Sequence, residues 1–477
     1  MGSRSFYEGW DSNRPNVILY INIGTGTDSK KFILQSVGRG VRIEPVKNKK
    51  VRLKKLLGDK IISEKDYLEI KDFIQPLESL FVYGTNAENL REVIKTMKDE
   101  KSEEYPLGDQ FKINFKESKD KFLLIPVYKD SGKLLYEEKD PVKFEISKQD
   151  LNSAVEYSKL VGDKISIIKY YCQPKVLSKV NESFINATTY YSTASDRHLN
   201  NPELYFGKIL HHFNVVSKVS DGFKKLGEED IIHFKKIKIF EKIKYDLIKP
   251  DVDKVRDYSD KNKYETEIEK NFEKTKDTKT FKRELRELDE KFKEKIERDN
   301  LVIQFLQNHY YSPSILTEDE RINYINHIIN VPSEVRFIRE LDEYLKKENN
   351  FFKKFDWWIF SKIDQTLDKV FIPYYNSAEN KFSQFFPDFI FWMRKGEEYL
   401  ILFIDPKGIE HTDAFRKIDG FRKIFEDEKS KSVKYKLDKL EITVRLFIFP
   451  KDISSVPEKY SDYCFDNLKQ FENIILL

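Results

Sequence analysis

The sequence predicts an α/β protein, and three patterns support this prediction. The run Val17–Ile23 is apolar except for Asn22, which predicts a strand buried in a parallel sheet, and a glycine-containing loop and a helix pattern follow it. The stretch Phe386–Lys407 contains two short runs rich in aromatic residues and isoleucine, joined by a polar turn with Gly396, which is typical of adjacent strands. Amphipathic helix patterns lie on both sides of this stretch.

The length of 477 residues suggests about three domains. In residues 1–100, strand and helix patterns alternate, and a second strand is expected at Leu80–Tyr83. Residues 101–330 form a mixed α+β region with short strands such as Phe122–Tyr128 and Val142–Ile146. Residues 331–477 are expected to form a small α/β domain.

The overall composition excludes several classes of protein. The 85 Lys and Arg nearly balance the 81 Asp and Glu, so any basic surface for nucleic acid must be local. Two cysteines, Cys172 and Cys464, form neither a disulfide framework nor a zinc-binding spacing, which suits a reducing cytoplasm. No apolar run approaches the roughly 18 residues of a membrane span. A cytoplasmic protein without a membrane partner is therefore expected.

Residues 249–300 are dominated by Lys, Glu and Asp. Sparse apolar residues at spacings of three and four predict a narrow apolar stripe on a solvated helix, formed by Phe281, Leu285, Leu288, Phe292 and Ile296. Such a helix serves as a connector or docking element, and contact with DNA is the alternative interpretation.

The C-terminal region has clear element signals. A helix is expected at Glu334–Lys347, with Ser333 as its cap and a buried stripe on one face, formed by Val335, Ile338, Leu341 and Leu345. A second helix is expected at Ala414–Phe425 and a last strand at Ile442–Phe449. The predicted order is helix, strand, strand, helix, strand.

Asp388, Asp405 and Lys407 carry the chemistry of this region. Burying two carboxylates and an ammonium at the end of a hairpin costs free energy unless these groups bind a ligand. A divalent cation beside a phosphate would offset that cost. Hard cations such as Mg²⁺ prefer carboxylate oxygens, and they lower the pKa of a bound water. An acid-x-Lys tripeptide is common in this chain, but only Asp405-Pro406-Lys407 follows a buried strand and has a partner aspartate behind a proline.

Pro387-Asp388 and Asp405-Pro406-Lys407 resemble the signature of the PD-(D/E)xK nuclease superfamily. The resemblance implies a Mg²⁺-dependent nuclease domain and a further metal-binding glutamate on the preceding helix. Glu334 is the candidate, with Glu340 as the alternative, although an acid in the first turn also stabilises the helix dipole. His411, Arg416 and Lys417 are weaker candidates for contact with DNA, since a lone loop histidine or a helical cation is often incidental.

A second informative stretch lies near the N-terminus. On a helix, Gln35, Arg39 and Arg42 share one face, and two guanidinium groups there suit the phosphates of a nucleotide, although a solvated basic face is the simpler interpretation. The stretch resembles motif VI of superfamily 2 helicases, and Glu8-Gly9-Trp10-Asp11 resembles motif V. By this resemblance residues 1–100 are part of a second RecA-like domain, Arg39 and Arg42 are arginine fingers, and Gly9 and Asp11 lie near nucleotide and DNA.

The sequence also departs from the helicase pattern. It contains neither a GxxxxGK[ST] loop nor an acidic Walker B box. We therefore expect that an N-terminal motor part is missing, and that ATP is bound and hydrolysed only when that part is supplied.

Helicase motifs V and VI followed by a PD-(D/E)xK motif resemble the organisation of the Res subunit of type III restriction enzymes. Three further stretches fit that family, namely Leu77–Asn86, Asn308–Tyr311 and Ser333–Phe337. The family implies ATP-dependent translocation, cleavage of double-stranded DNA and assembly with a modification methyltransferase subunit. The alternatives are an accessory fragment that docks on the motor or methyltransferase subunit without cutting DNA, and the remnant of a decayed gene.

Overall fold

A computed structural model of the 477-residue chain describes two compact units of mixed helix and sheet. One unit comprises Met1–Glu104 with Phe240–Lys242, and the other comprises Tyr105–Ile239 with Ile243–Leu477. The structure describes residues 17–21, 33, 36–37, 52–58, 61–63, 65–67, 70, 74, 78–85, 91, 104–114, 122–138, 141–186, 190–191, 201–377, 381–406, 413–427, 429–450, 453, 456–465 and 467–470.

The first unit contains a parallel pair of strands, as the sequence predicts. The described residues of this unit include β1 (Val17–Tyr20), helix α1 (Leu53–Gly58) and β2 (Phe81–Gly84), and β1 pairs with β2. Tyr20 packs with Ile33 and Val37 in a small core. The expectation of a fully buried strand is wrong, because Val17 and Leu19 are about 60% exposed. Their side chains point to the face opposite that core, since side chains alternate along a strand.

The second unit begins with short strands and three helices. The strands are β3 (Tyr105–Pro106), β4 (Lys112–Ile113), β5 (Leu124–Leu134), β6 (Phe144–Glu145), β7 (Tyr190–Tyr191), β8 (Val216–Lys225) and β9 (Lys238–Ile239). The helices are α2 (Lys148–Tyr170), α3 (Pro174–Ile185) and α4 (Pro202–Phe213), which share one apolar core around Phe206. The long strands β5 and β8 pair antiparallel, and the strands expected near Phe122–Tyr128 and Val142–Ile146 are confirmed as β5 and β6.

The charged segment that follows is folded into three helices. They are α5 (Lys242–Arg256), α6 (Lys261–Thr275) and α7 (Thr278–Lys291). Buried residues of α5 such as Val252 and Val255 join the main core, whereas α6 and α7 pack on each other as an antiparallel hairpin. The prediction of one apolar stripe extending to Ile296 is wrong, because that residue lies in strand β10, where the side-chain period changes from 3.6 to 2.

Four short strands connect the helical hairpin to the C-terminal region. They are β10 (Lys295–Arg298), β11 (Leu301–Gln304), β12 (Tyr311–Ser312) and β13 (Ser314–Leu316). Strands β10, β11 and β13 form a three-stranded antiparallel sheet, while β12 pairs with β4.

A five-stranded sheet forms the centre of the second unit. The remaining elements are α8 (Pro332–Leu345), β14 (Trp357–Lys362), β15 (Ile372–Asn376), β16 (Lys381–Phe385), β17 (Phe389–Lys395), β18 (Glu398–Asp405), α9 (Asp413–Phe425), β19 (Lys434–Leu437) and β20 (Leu440–Ile448). The strand order is β14-β17-β18-β20-β19. Strands β14, β17 and β18 run antiparallel, β18 and β20 run parallel with α9 in the crossover, and β15 pairs with β16 outside the sheet.

The predicted hairpin, both flanking helices and the last strand are therefore confirmed, and β14 is an addition. One detail of the prediction is wrong: Ser333 does not cap α8. The N-cap residue is Val331, and Pro332 occupies the first helical position, where its missing N–H costs no hydrogen bond.

The two faces of the central sheet are covered by different helices. Val335, Phe337 and Ile338 of α8 pack against one face together with Phe389 and Phe391. Ile418 and Phe421 of α9 belong to the core on the other face, which contains Ile401 and Phe403. The ends of the central strands lie between these two helical layers.

Candidate functional site

Asp388 and Asp405 lie at the same end of two adjacent central strands. Phe389 of β17 pairs with Ile404 of β18, so one further residue along this register brings Asp388 opposite Asp405. The Cβ atoms of directly opposed residues are about 4.5–5.5 Å apart. A two-residue turn with Gly396 at φ 60° sets the register, because a glycine in the first central position favours a tight hairpin.

Neighbouring strands hold both backbones in place. The Asp388 carbonyl accepts a hydrogen bond from Ile363 N–H at 2.8 Å, and the Asp405 carbonyl accepts one from Phe449 N–H at 2.8 Å. Both aspartates are 5% exposed. Two negative charges at opposed positions repel each other, and burial strengthens that repulsion, so a cation bound beside these carboxylates would stabilise their ionised form.

Glu334 forms an ion pair with Lys362, a residue that the sequence interpretation missed. Glu334 lies in the first turn of α8 and is 2% exposed, and Lys362 ends β14 and is 7% exposed. The Lys362 ammonium donates to Glu334 Oε2 and lies 5.9 Å from the centre of the Phe389 ring. The only signal in the sequence is a lysine two residues after the apolar run Trp357–Phe360.

Side-chain alternation separates this ion pair from the two aspartates. Asp405 follows Ile401 and Phe403 on the face that α9 covers, whereas Lys362 shares the α8 face with Phe389. Within the described residues, no group of three or more His, Cys, Asp or Glu side chains is arranged to hold a metal ion. The structure thus brings Asp388 and Asp405 together and places Glu334 with Lys362. The role of Glu334 as a metal ligand stays a prediction.

The weaker candidates have structural partners. The Glu340 side chain is 40% exposed, and its Oε1 lies 3.9 Å from Arg336 Nε. Arg416 of α9 forms an ion pair with Glu145, and the Lys417 ammonium lies 4.9 Å from the centre of the Phe385 ring.

His327 and Asp364 form a half-buried pair near the end of β14. His327 Nδ1 lies 3.2 Å from Asp364 Oδ2, and the His327 backbone is left-handed with φ 56°. Burial raises the pKa of Asp364, but hydrogen bonds from His327 and Thr366 outweigh it and hold the pKa well below its ordinary value. Asp364 is therefore a carboxylate, two residues after Lys362 in the chain.

A buried polar network lies between the first half of this unit and the central sheet. His233 Nδ1 is 2.7 Å from Asp368 Oδ2, and His233 Nε2 is 2.8 Å from the Tyr311 hydroxyl. Burial raises the pKa of Tyr311, and the carboxylates of Asp368 and Glu334 raise it further. His309 is 1% exposed, and burial lowers its pKa to about 3. The stretch Asn308–Tyr311 thus contributes to a structural network of hydrogen bonds.

Several predicted site residues lie outside the residues that the structure describes. They are Lys407 and His411 in the C-terminal region, and Gly9, Asp11, Gln35, Arg39 and Arg42 near the N-terminus. Their roles remain predictions.

The two aspartates fit a Mg²⁺ ion. Magnesium is commonly held by one or two carboxylates, with waters and substrate phosphates as its other ligands, so a third protein carboxylate is not required. A divalent cation between Asp388 and Asp405 would also neutralise the repulsion between their charges.

Comparisons with known proteins give one result. A family model described as the YagJ family matches residues 325–441, about a quarter of the chain. The matched part contains His327, Glu334, Lys362, Asp388 and Asp405. No curated protein and no solved structure matches the chain. Among the helices that the structure describes, none combines the length and apolar character that a membrane crossing requires.

Proposed function

We propose that the chain is a metal-dependent endonuclease that cleaves double-stranded DNA. The observation that carries this proposal is the pair Asp388 and Asp405, opposed at the ends of adjacent central strands and almost fully buried. Lys407 follows two residues after Asp405 in the sequence.

The arrangement of elements supports the same proposal. A helix, three antiparallel strands, a helix and a parallel strand surround the aspartates, an arrangement compatible with the resemblance of their motifs to PD-(D/E)xK nucleases. Asp388 and Asp405 would hold Mg²⁺, which supplies charge stabilisation on the phosphate and an acidified water when bound. The Lys407 ammonium would stabilise negative charge that develops on the phosphate.

The larger assignment belongs to the proposal as well. A type III restriction system would provide a motor part that moves on DNA with ATP, and a methyltransferase subunit that reads the recognition sequence. Arg39 and Arg42 would act on nucleotide phosphates only with that motor part.

Plasmid cleavage tests the site. We expect the purified chain to nick or linearise supercoiled plasmid with Mg²⁺ or Mn²⁺. Asp405→Asn should lower the rate by at least about 100-fold, since even a residue that only hydrogen-bonds to a metal ligand commonly contributes 10- to 100-fold. Asp438→Asn is the matched control, because Asp438 is exposed in a turn at φ 52°, a conformation that asparagine adopts readily. Calorimetric titration with Mn²⁺ should show weaker binding to Asp405→Asn than to Asp438→Asn.

Two outcomes would change this conclusion. Metal-dependent cleavage that survives both Asp388→Asn and Asp405→Asn would disprove the site assignment. A folded wild-type chain that cuts DNA with neither metal, but co-purifies with a motor or methyltransferase subunit, would favour the non-catalytic accessory role.

A further inference from the structure

The helical hairpin of α6 and α7 has an unequal distribution of charge along its length. Its tip, residues 270–283, contains six cationic and two acidic residues, a net charge of +4. The remainder of the two helices, residues 261–269 and 284–291, contains four cationic and seven acidic residues, a net charge of −3. The cations of the tip are Lys270, Lys274, Lys276, Lys279, Lys282 and Arg283.

All six cations of the tip are exposed to solvent. Across the described part of the chain, the five lysines among them form no ion pair, whereas Lys261 and Lys263 near the base pair with Asp289 and Asp260 at 2.8 and 3.1 Å. Free ammonium groups are therefore concentrated at the end of the hairpin.

One of the two acids in the tip, Asp277, has a structural role. Asp277 caps α7 and accepts hydrogen bonds from Lys279 N–H and Thr280 N–H, at 3.0 and 3.3 Å. Hydrogen bonds from Thr280 lower the pKa of Asp277, so its carboxylate stays ionised while it caps the first turn of α7. The net charge of +4 already counts this carboxylate and that of Glu273.

The hairpin extends away from the core. No residue of α6 is buried, and all of that helix is described. The rings of Phe272 and Phe281 contact each other at a tilt, with their centres 4.4 Å apart, and the ring of Tyr264 stacks on that of Phe292 with a centre-to-centre distance of 5.5 Å. The aromatic residues thus hold the two helices together.

The chemistry of the tip favours a polyanion over a protein partner. Protein interfaces are built around buried aromatic and aliphatic anchors and contain few lysines, whereas the apolar side chains of the tip are used inside the hairpin. Lys270 and Lys274 are one helical turn, about 6 Å, apart along α6, so their flexible ammonium groups can contact neighbouring phosphates of one strand.

We propose that the tip of the α6–α7 hairpin binds the phosphate backbone of duplex DNA without reading its sequence. The choice of DNA as the polyanion rests on the proposed function, but the binding surface is separate from Asp388 and Asp405. Backbone contacts of this kind position a protein on DNA and make its affinity strongly dependent on salt.

Fluorescence anisotropy with a short labelled DNA duplex, in EDTA to prevent cleavage, tests this proposal. The test variant is Lys270→Gln, Lys274→Gln, Lys279→Gln and Lys282→Gln combined, since glutamine preserves helix propensity. The control removes four lysines from the surfaces of α2 and α3: Lys159→Gln, Lys164→Gln, Lys175→Gln and Lys179→Gln. Circular dichroism melting checks that both variants fold like the wild type.

We expect the tip variant to bind at least about tenfold more weakly at 50 mM salt, and the control to stay within about twofold of the wild type. The slope of log affinity against log salt should become shallower by about 0.9 for each lost phosphate contact. Equal affinity and slope for the tip variant and the wild type would overturn the inference. If the chain binds DNA through the tip but does not cleave it, the result would support this inference and contradict the nuclease proposal.

Discussion

At the scale of single residues, two roles of the Glu334 carboxylate can be distinguished by experiment: binding of a metal ion, and stabilisation of the fold through its ion pair with Lys362. Both side chains are more than nine-tenths buried and form an ion pair between α8 and β14. Burying two charges costs several kcal/mol per ion before their attraction is counted. Loss of one partner is therefore more harmful than loss of both.

Lys362→Met should lower the free energy of unfolding by about 3–5 kcal/mol, because it leaves the buried Glu334 carboxylate without this ammonium. The double variant Glu334→Leu with Lys362→Met should recover most of that loss, since an apolar pair of similar volume replaces the charges. Urea denaturation measures both effects. A Lys362→Met variant as stable as the wild type would contradict the expectation.

The double variant also separates the two roles of Glu334. If Glu334 is a metal ligand, as the resemblance implies, the folded double variant should lose metal-dependent cleavage, as Asp405→Asn should. If the pair is structural, the double variant should cleave DNA at close to the wild-type rate.

At the scale of elements, the packing of α9 on β15 depends on a glycine that the helix pattern did not reveal. A Cβ atom at Gly420 would overlap Tyr374 Cβ and lie 2.9 Å from Tyr374 Cα and 3.1 Å from the Pro373 carbonyl oxygen. The helix and the strand can approach this closely only because Gly420 has no side chain.

Gly420→Ala should destabilise the protein by about 1–3 kcal/mol, the usual cost of overpacking, although alanine is the better helix former. Gly207→Ala in α4 is the matched control: its Cβ would lie 3.1 Å from the ring of Tyr170 and would meet no backbone atom of another element within 4 Å, so a smaller effect is expected. Thermal unfolding of the two variants gives the comparison. An effect at Gly207 as large as the one at Gly420 would argue against close backbone packing as the cause.

At the scale of the whole second unit, the central sheet shares its core with residues that precede it by more than two hundred positions. Trp392 Nε1–H donates to the Leu124 carbonyl at 2.8 Å, and the Tyr399 hydroxyl donates to the Phe122 carbonyl at 3.0 Å. Leu124 N–H donates back to the Tyr399 hydroxyl at 3.2 Å. Residues from Leu107 to Cys464 belong to this one apolar core.

A fragment of residues 331–477 should therefore be much less stable than a fragment of residues 105–477, because removal of β5 exposes apolar surface and leaves buried polar groups unsatisfied. Thermal unfolding followed by circular dichroism should show a cooperative transition for the longer fragment, and a lower or absent one for the shorter. Equal midpoints would instead indicate an independent domain that begins at residue 331.

The elements of the C-terminal region could be predicted because their signals are local. Alternating and continuous apolar runs, the turn at Gly396 and the stripes of α8 and α9 each depend on residues close in sequence. Asp388 directly precedes the first strand of one hairpin and Asp405 is the last residue of its second strand, so the register of the hairpin alone predicts that they meet.

Tertiary structure alone decided the rest of the candidate site. The sequence by itself determined the hairpin and its opposed aspartates, through short-range periodicity and turn geometry. The pairing of Glu334 with Lys362, the insertion of β14 beside β17 and the close approach at Gly420 depend on contacts between distant segments. No local pattern encodes such contacts. A charged residue near the end of an apolar run has the same secondary-structure propensity whether its partner in the folded protein is a metal ion, an oppositely charged side chain or water.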